Sequence, residues 1–184
     1  LLRAGTKQHN YEKQLKIAGV PYTATTQKWI FQYAPLNDLY AIFRLAVYPQ
    51  DRKTYAQVLK TPFVALSDEA FIKVMLACQE ANTEVFSPFI DEVLEKAGLK
   101  EDLVAFKRGR ELFGEVKEAL KTRTNAEIVQ LLWYKWGYRY LLLSNSPYHE
   151  FLNLYDYLFF MASEADVAHL SVSEFVDEIS EYVE

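Results

Sequence analysis

Apolar positions recur along most of this chain at steps of three and four, the spacing of one face of an α-helix. Leu36, Leu39, Tyr40, Phe43 and Val47 make one such stripe, opened by Pro35 and closed before Pro49. Tyr55, Val58 and Leu59 make a shorter one behind Asp51, whose carboxylate can accept from the free N–H groups of a helix start. Thr61-Pro62 breaks it. Ser67 then caps a helix running to about Gln79, with Asp68 and Glu69 in its first turn, where the helix dipole favours acids. Ser87-Pro88 opens the next helix and Gly98 ends it. Leu99, Leu103, Phe106, Phe113, Val116 and Leu120 follow in helical register, with Lys107, Arg108 and Arg110 off that face. Thr124 with Glu127 is a capping-box pattern ahead of Ile128, Leu131, Leu132 and Lys135. Ser146-Pro147 starts an aromatic helix through Phe151, Leu154, Leu158 and Met161. Ser171 with Glu174 is a second capping box before a last helix from Phe175 to Tyr182.

The first 25 residues read differently. Leu1-Leu2-Arg3-Ala4 has the look of the end of a buried strand, and Thr6 to Ala18 of a helix with Tyr11, Leu15 and Ala18 on one face. Gly19 can take the positive φ that ends a helix, and Pro21 forces Val20 extended, so a short strand from Val20 to Thr25 is expected. Two strands around one helix are marginal alone and normally belong to a larger parallel sheet. Gln27 to Tyr33 is apolar and aromatic without a period, a packed loop or short helix. The fold class is therefore mainly α, a multi-helix domain with a small N-terminal β-α-β piece. The chain begins at Leu1 without Met and stops in Glu-Tyr-Val-Glu, as expected of a segment of a longer protein.

Charge changes this picture more than composition does. Half of the residues are hydrophobic and six are Gly, which suits a packed core. The net charge of −5 conceals a gradient. Residues 1–67 carry nine Lys/Arg against three Asp/Glu, and residues 140–184 carry nine acids and no Lys or Arg. A basic third and an acidic third create local fields that the mean hides, although solvated helix faces would give the same counts. The single cysteine, Cys78, excludes an intrachain disulfide and suits a reducing, cytoplasmic setting. Its neighbours Met75, Leu76 and Ala77 make it a core thiol. No apolar run reaches the ~20 residues of a membrane span, so no membrane partner is expected.

Candidate chemistry is sparse. His9, His149 and His169 stand alone, without other ligands at metal-binding spacing. Lys121-Thr122 follows Leu120 where a phosphate loop requires Gly, and no Gly-rich loop or Gly-X-Ser-X-Gly elbow occurs. Asp91/Glu92/Glu95 and Asp177/Glu178/Glu181 sit one helical turn apart and read as solvated faces rather than an ion site. The cluster Trp133-Tyr134-Lys135-Trp136-Gly137-Tyr138-Arg139-Tyr140 interleaves aromatics with cations and could stack the bases of a single strand. Ile128, Leu132, Trp136 and Tyr140 recur at steps of four, however, which favours core packing.

Leu1-Leu2-Arg3, then Glu12, Leu15 and Ala18-Gly19-Val20-Pro21-Tyr22, is similar to a passage late in the UvrD/Rep-type DNA helicases of superfamily 1, and four later segments resemble that family in the same order. Phe31, Leu36-Asn37-Asp38 and Phe43-Arg44-Leu45 resemble the helix that follows it. Val58-Leu59-Lys60-Thr61-Pro62-Phe63 and Leu66-Ser67-Asp68-Glu69 resemble a stretch of the RecB/AddA branch. The Glu111–Leu120 helix, Ile128-Val129-Gln130-Leu131-Leu132 and Gly137-Tyr138 resemble a later passage. Asn153-Leu154, Leu158, Ala162 and Ser173-Glu174-Phe175-Val176 resemble the run that precedes the family's late ATP-coupling motifs.

The resemblance implies that residues 1–25 are a remnant of the second RecA-like domain. Residues 26–184 are then the inserted helical accessory domain of 2B type. ATP and magnesium would bind elsewhere in the parent enzyme, an ATP-dependent DNA helicase that could carry exonuclease activity. This segment itself holds no catalytic residue, cofactor or metal in that reading. It would guide duplex or forked DNA in recombination and repair, with Arg52, Lys53, Lys60, Thr61 and Ser67 as phosphate contacts. UvrD/Rep relatives carry a Gly-Ile-Gly turn where this chain has Val64-Ala65-Leu66, a departure that favours a RecB/AddA-like role. In that branch the insert also packs on a partner subunit. The alternative reading is a helical protein–protein interaction module facing a basic partner with its acidic third.

Overall fold

The computed structural model describes residues 35–144 and 152–183, together with 14, 15, 18–20, 31 and 33. Every regular element among them is helical. The expected β-α-β piece over residues 1–25 lies almost wholly outside the described residues, and no strand occurs among the described ones. Its visible part is the helix end. Val20 N–H donates to Leu15 O at 3.0 Å and Gly19 has φ +65°, the left-handed C-terminal turn expected of that glycine. The start expected at Ser146-Pro147 also lies outside the described residues.

Helix α1 (Leu36–Val47) is the centre of the described helical body. The sequence predicts one apolar stripe, yet Ala41, Ile42, Leu45 and Ala46 are buried as well as Leu36, Leu39, Tyr40 and Phe43. A helix apolar on nearly every side has to be surrounded. Neighbours on different sides of α1 are α2 (Arg52–Lys60), α5 (Lys100–Thr122), α8 (Asn153–Val167) and α9 (Val172–Val183). Phe43 meets Phe175 of α9 edge to face at 6.1 Å between centroids. At the end of α1, Tyr48 donates its hydroxyl to Asp177 at 2.7 Å.

On one side α3 (Asp68–Glu80) and α4 (Phe89–Lys96) pack on each other, and α4 packs on α5. Cys78 is buried there, as its neighbours suggest. The Arg110 guanidinium on α5 ties this layer together. It donates to Phe86 O at 2.6 Å and Ser87 O at 3.1 Å, and it pairs with Asp91. The sequence leaves Arg110 off the apolar face, but its side chain is half-buried because it closes these backbone acceptors.

On the other side α6 (Asn125–Gln130) runs into a π-helical turn (Leu131–Lys135) and then α7 (Tyr138–Leu143). Both capping boxes form as the sequence predicts. Thr124 and Glu127 exchange bonds at 3.0 and 3.3 Å, and Ser171 and Glu174 at 2.8 and 3.3 Å. The wider π turn, in which Trp136 N–H reaches back to Leu131 O at 3.1 Å, shifts the phase of the apolar positions. Gly137 then breaks the helix at φ +72°. Trp133 and Tyr138 thus become core, while Tyr140 is 70% exposed, contrary to the step-of-four pattern through Trp136 and Tyr140. Trp133 stacks on Tyr155 of α8 at 4.2 Å, and Tyr138 stacks on Phe63 at 4.8 Å.

Candidate nucleic-acid interface

The five proposed phosphate contacts gather around α2 and the turn into α3. Asp51 starts α2 and carries much of the local order. Its Oδ1 accepts from Lys53 N–H and Thr54 N–H at 3.1 Å each, and its Oδ2 from the Thr54 hydroxyl at 2.8 Å and Arg44 Nε at 3.0 Å. Burial pushes the Asp51 carboxyl up, but the Thr54 backbone and hydroxyl and the Arg44 guanidinium outweigh it and leave the group below its ordinary range. The two cations in the first turn of α2 thus sit beside a fixed anion, which offsets their unfavourable place on the helix dipole.

Arg52 turns away from solvent and donates from Nη2 to Thr83 O at 2.6 Å, closing the α3–α4 loop. Lys53 is exposed. Lys60 lies two turns further on, and at 1.5 Å per residue the two lysines are about 10 Å apart along one face of α2. Gln57 stands between them and reaches Asn37 at 2.8 Å. The Lys60 ammonium pairs with Asp68 at 2.5 Å, donates to Leu66 O at 3.2 Å and lies 5.1 Å over the Phe71 ring. That ammonium lowers the exposed Asp68 carboxyl below its usual range.

Thr61 is 2% exposed and donates its hydroxyl to Val58 O at 2.7 Å. Its carbonyl accepts from Val64 N–H at 3.0 Å and Ala65 N–H at 2.8 Å. Val64-Ala65-Leu66 therefore forms a tight turn, with Val64 and Leu66 buried and Ala65 at φ +54°. The central alanine adopts a left-handed backbone that disfavours side chains. Ser67 caps α3, accepting from Ala70 N–H at 3.2 Å. Its own N–H and hydroxyl donate to Asp102 of α5 at 2.7 and 2.9 Å.

The structure thus brings Lys60, Thr61 and Ser67 into one turn and keeps Lys53 on the same helix face. It holds Arg52, Lys60 and Ser67 in internal bonds. Asp68 and Asp102, which engage Lys60 and Ser67, were not legible as partners. Asp102 lies 35 residues from Ser67, beyond any local spacing rule. The basic character of residues 1–67 is likewise not laid out as one patch by the described residues. Arg3, Lys7, Lys13, Lys16 and Lys28 lie outside them, and Arg44 is paired with Asp51.

The other candidates resolve into packing. Trp133 and Tyr138 are core, and Trp136 donates its indole N–H to Glu115 at 2.9 Å. Lys135 pairs with the same Glu115. Asp91 is engaged by Arg110, and Asp177 accepts from Tyr48. His169 closes α8 at φ +58° and is exposed. Among the described residues no three His, Cys, Asp or Glu side chains gather as a metal site. No described helix is long and apolar enough to cross a membrane. No family model, curated protein or solved structure matches this chain.

Proposed function

We propose that this helical body is a non-catalytic accessory region of an ATP-dependent DNA helicase or helicase–nuclease, and that it guides duplex DNA along α2. The ordered segments from Leu1 to Val176 that resemble the UvrD/Rep and RecB/AddA helicases motivate the reading. The observation that carries it is the line Lys53–Gln57–Lys60 on one face of α2, ending at the start of α3. Lys53 offers a free ammonium to a phosphate, and Lys60 reaches one by leaving the exposed Asp68. Arg52 and Thr61 support this face from behind, one by holding the α3–α4 loop and the other by holding the turn. ATP and magnesium belong to the motor domains of the parent enzyme in this reading.

A photo-crosslinker at position 53 tests it. Forked duplex should be trapped there and not by the same group at Glu178. Capture at 178 alone, or at neither position, contradicts DNA guidance along α2.

A second reading, docking of a basic protein subunit, is favoured by the outer face of α8. Asp156, Phe160, Glu164 and Val167 follow one another there at helical spacing, all exposed, with Phe160 at 59% and Val167 at 76%. Both functions can coexist, since α2 and α8 are different surfaces.

A further inference from the structure

The loop Asn82-Thr83-Glu84-Val85-Phe86 between α3 and α4 closes one side of a cavity of about 400 Å³. The turn from α1 into α2 and the outer side of α5 close the rest. Its chemistry is uneven. Val85, Phe113 and Pro49 supply apolar surface, while Arg52 and Lys117 bring two cations to the lining against one acid, Glu84. Lys117 is exposed, its ammonium 5.7 Å over the Phe113 ring.

Two buried polar atoms on the lining residues have no hydrogen-bond partner in the protein: Arg52 Nη1 and Thr83 Oγ1. This is unusual, because buried polar groups in folded proteins are almost always paired, and an exception calls for a cause such as strain, a catalytic role or a bound water or ion. Arg52 cannot shed its charge to relieve the deficit. The loop backbone is also held in a sparsely populated form, with φ +44° at Asn82 and +54° at Phe86. Tyr55 and Arg110 fix it there, the first by accepting from Phe86 N–H at 3.1 Å and the second by donating to Phe86 O at 2.6 Å. Two cations from α2 and α5, an unpaired hydroxyl and an apolar floor thus meet beside a loop that other side chains hold in place.

We propose that this cavity binds a small organic anion, a phosphate monoester or carboxylate carried on an aromatic or aliphatic group. The anionic end pairs with Lys117, and small side-chain turns of Arg52 and Thr83, whose unpaired atoms are covered in this structure, bring the free guanidinium arm and the hydroxyl to it. The apolar group covers Phe113 and Val85. The volume is within the usual range for small-ligand sites. This inference shares Arg52 with the DNA reading but is tested apart from it, because it needs Lys117 and the 82–86 loop and neither Lys53 nor Lys60.

Titration with phenyl phosphate, followed by amide NMR shifts of the chain, tests it. Saturable shifts at Thr83, Val85 and Phe113 are expected, with inorganic phosphate binding about tenfold more weakly because it leaves the apolar floor uncovered. K117Q, which removes an exposed charge and leaves the fold intact, should weaken phenyl phosphate about tenfold. E84Q should tighten it. R52Q should abolish it, and because Arg52 also holds Thr83 O, K117Q and E84Q carry the test if R52Q unfolds. The proposal is overturned if no shift saturates by about 10 mM, a concentration that still detects very weak sites. It is equally overturned if neutral benzyl alcohol binds as tightly as phenyl phosphate, or if K117Q leaves the affinity unchanged.

Discussion

Asp102, in the first turn of α5, accepts both the N–H and the hydroxyl of Ser67 at the start of α3, at 2.7 and 2.9 Å. A carboxylate thus occupies the helix start at which a phosphate contact was expected from the sequence. It also fastens α3 to α5, two helices that otherwise meet mainly through α4. D102A should cost about 1–2 kcal/mol by leaving both donors to water and loosening α3. It should also raise the affinity of the chain for duplex DNA at low salt. Urea unfolding and a binding titration check the two effects, and unchanged stability would remove the proposed tie.

Asp38 and Tyr138 are a hundred residues apart and share a hydrogen bond of 2.6 Å. Burial raises the Asp38 carboxyl above its ordinary range, and the Tyr138 hydroxyl recovers only part of that. Such a group binds its proton more tightly in the folded state. Its contribution is therefore most favourable below the unfolded value of about 3.9 and is lost as pH rises from there through the folded value. D38N should be at least as stable as the parent chain at pH 7, with that advantage gone near pH 4. Thermal melts at the two pH values decide it. A penalty of equal size at both would contradict the assignment.

Asp166 behaves in the opposite sense. Burial pushes its carboxyl up, but the N–H groups of Ala126 and Asn125, with the Thr124 and Asn125 side chains, outweigh burial and hold it below the ordinary range. It accepts Asn125 N–H at 2.8 Å, Asn125 Nδ2 at 2.9 Å and Ala126 N–H at 3.0 Å, and so fixes α6 to α8. Its stabilisation is present above about pH 3.9 and is lost as pH falls through the folded value. D166N places an amide among these donors and should cost about 2–3 kcal/mol at pH 7. The difference from the parent chain should narrow in acid, as denaturation at pH 7 and pH 3 can show.

Gly109 lies in the middle of α5 where Phe86 and Val64 close over it. A Cβ there would stand 2.8 Å from Phe86 Cε1 and 2.8 Å from Val64 Cγ2. Alanine is the better helix former, yet G109A should destabilise by about 1–3 kcal/mol because both neighbours are packed. The melting temperature should fall by several degrees, whereas G114A, where nothing lies within 4 Å, should raise it slightly.

The start signals at Asp51, Ser67, Thr124 and Ser171 were readable because each involves residues within three positions of one another. The apolar stripes of α1, α2 and α5 were readable for the same reason. The π turn at Leu131–Lys135 was not, since one extra residue per turn leaves no mark on composition and misplaces every apolar position after it. The roles of Asp102, Asp166 and Asp38 were hidden as well, because their partners come from 35 to 100 residues away. The candidate interface suffers most from this. Its cations can be counted in the sequence, but whether a lysine is free or engaged depends on acids that other helices bring up.

Lys53 and Lys60 are the two cations that DNA guidance along α2 requires. Binding of a forked duplex to this chain, measured across a salt series, should weaken steeply with salt. Changing both lysines to Glu should lower the affinity at every salt concentration and reduce the slope of log K against log salt by roughly one to two. Equal affinity and equal slope for the parent chain and the double variant would contradict DNA guidance along α2.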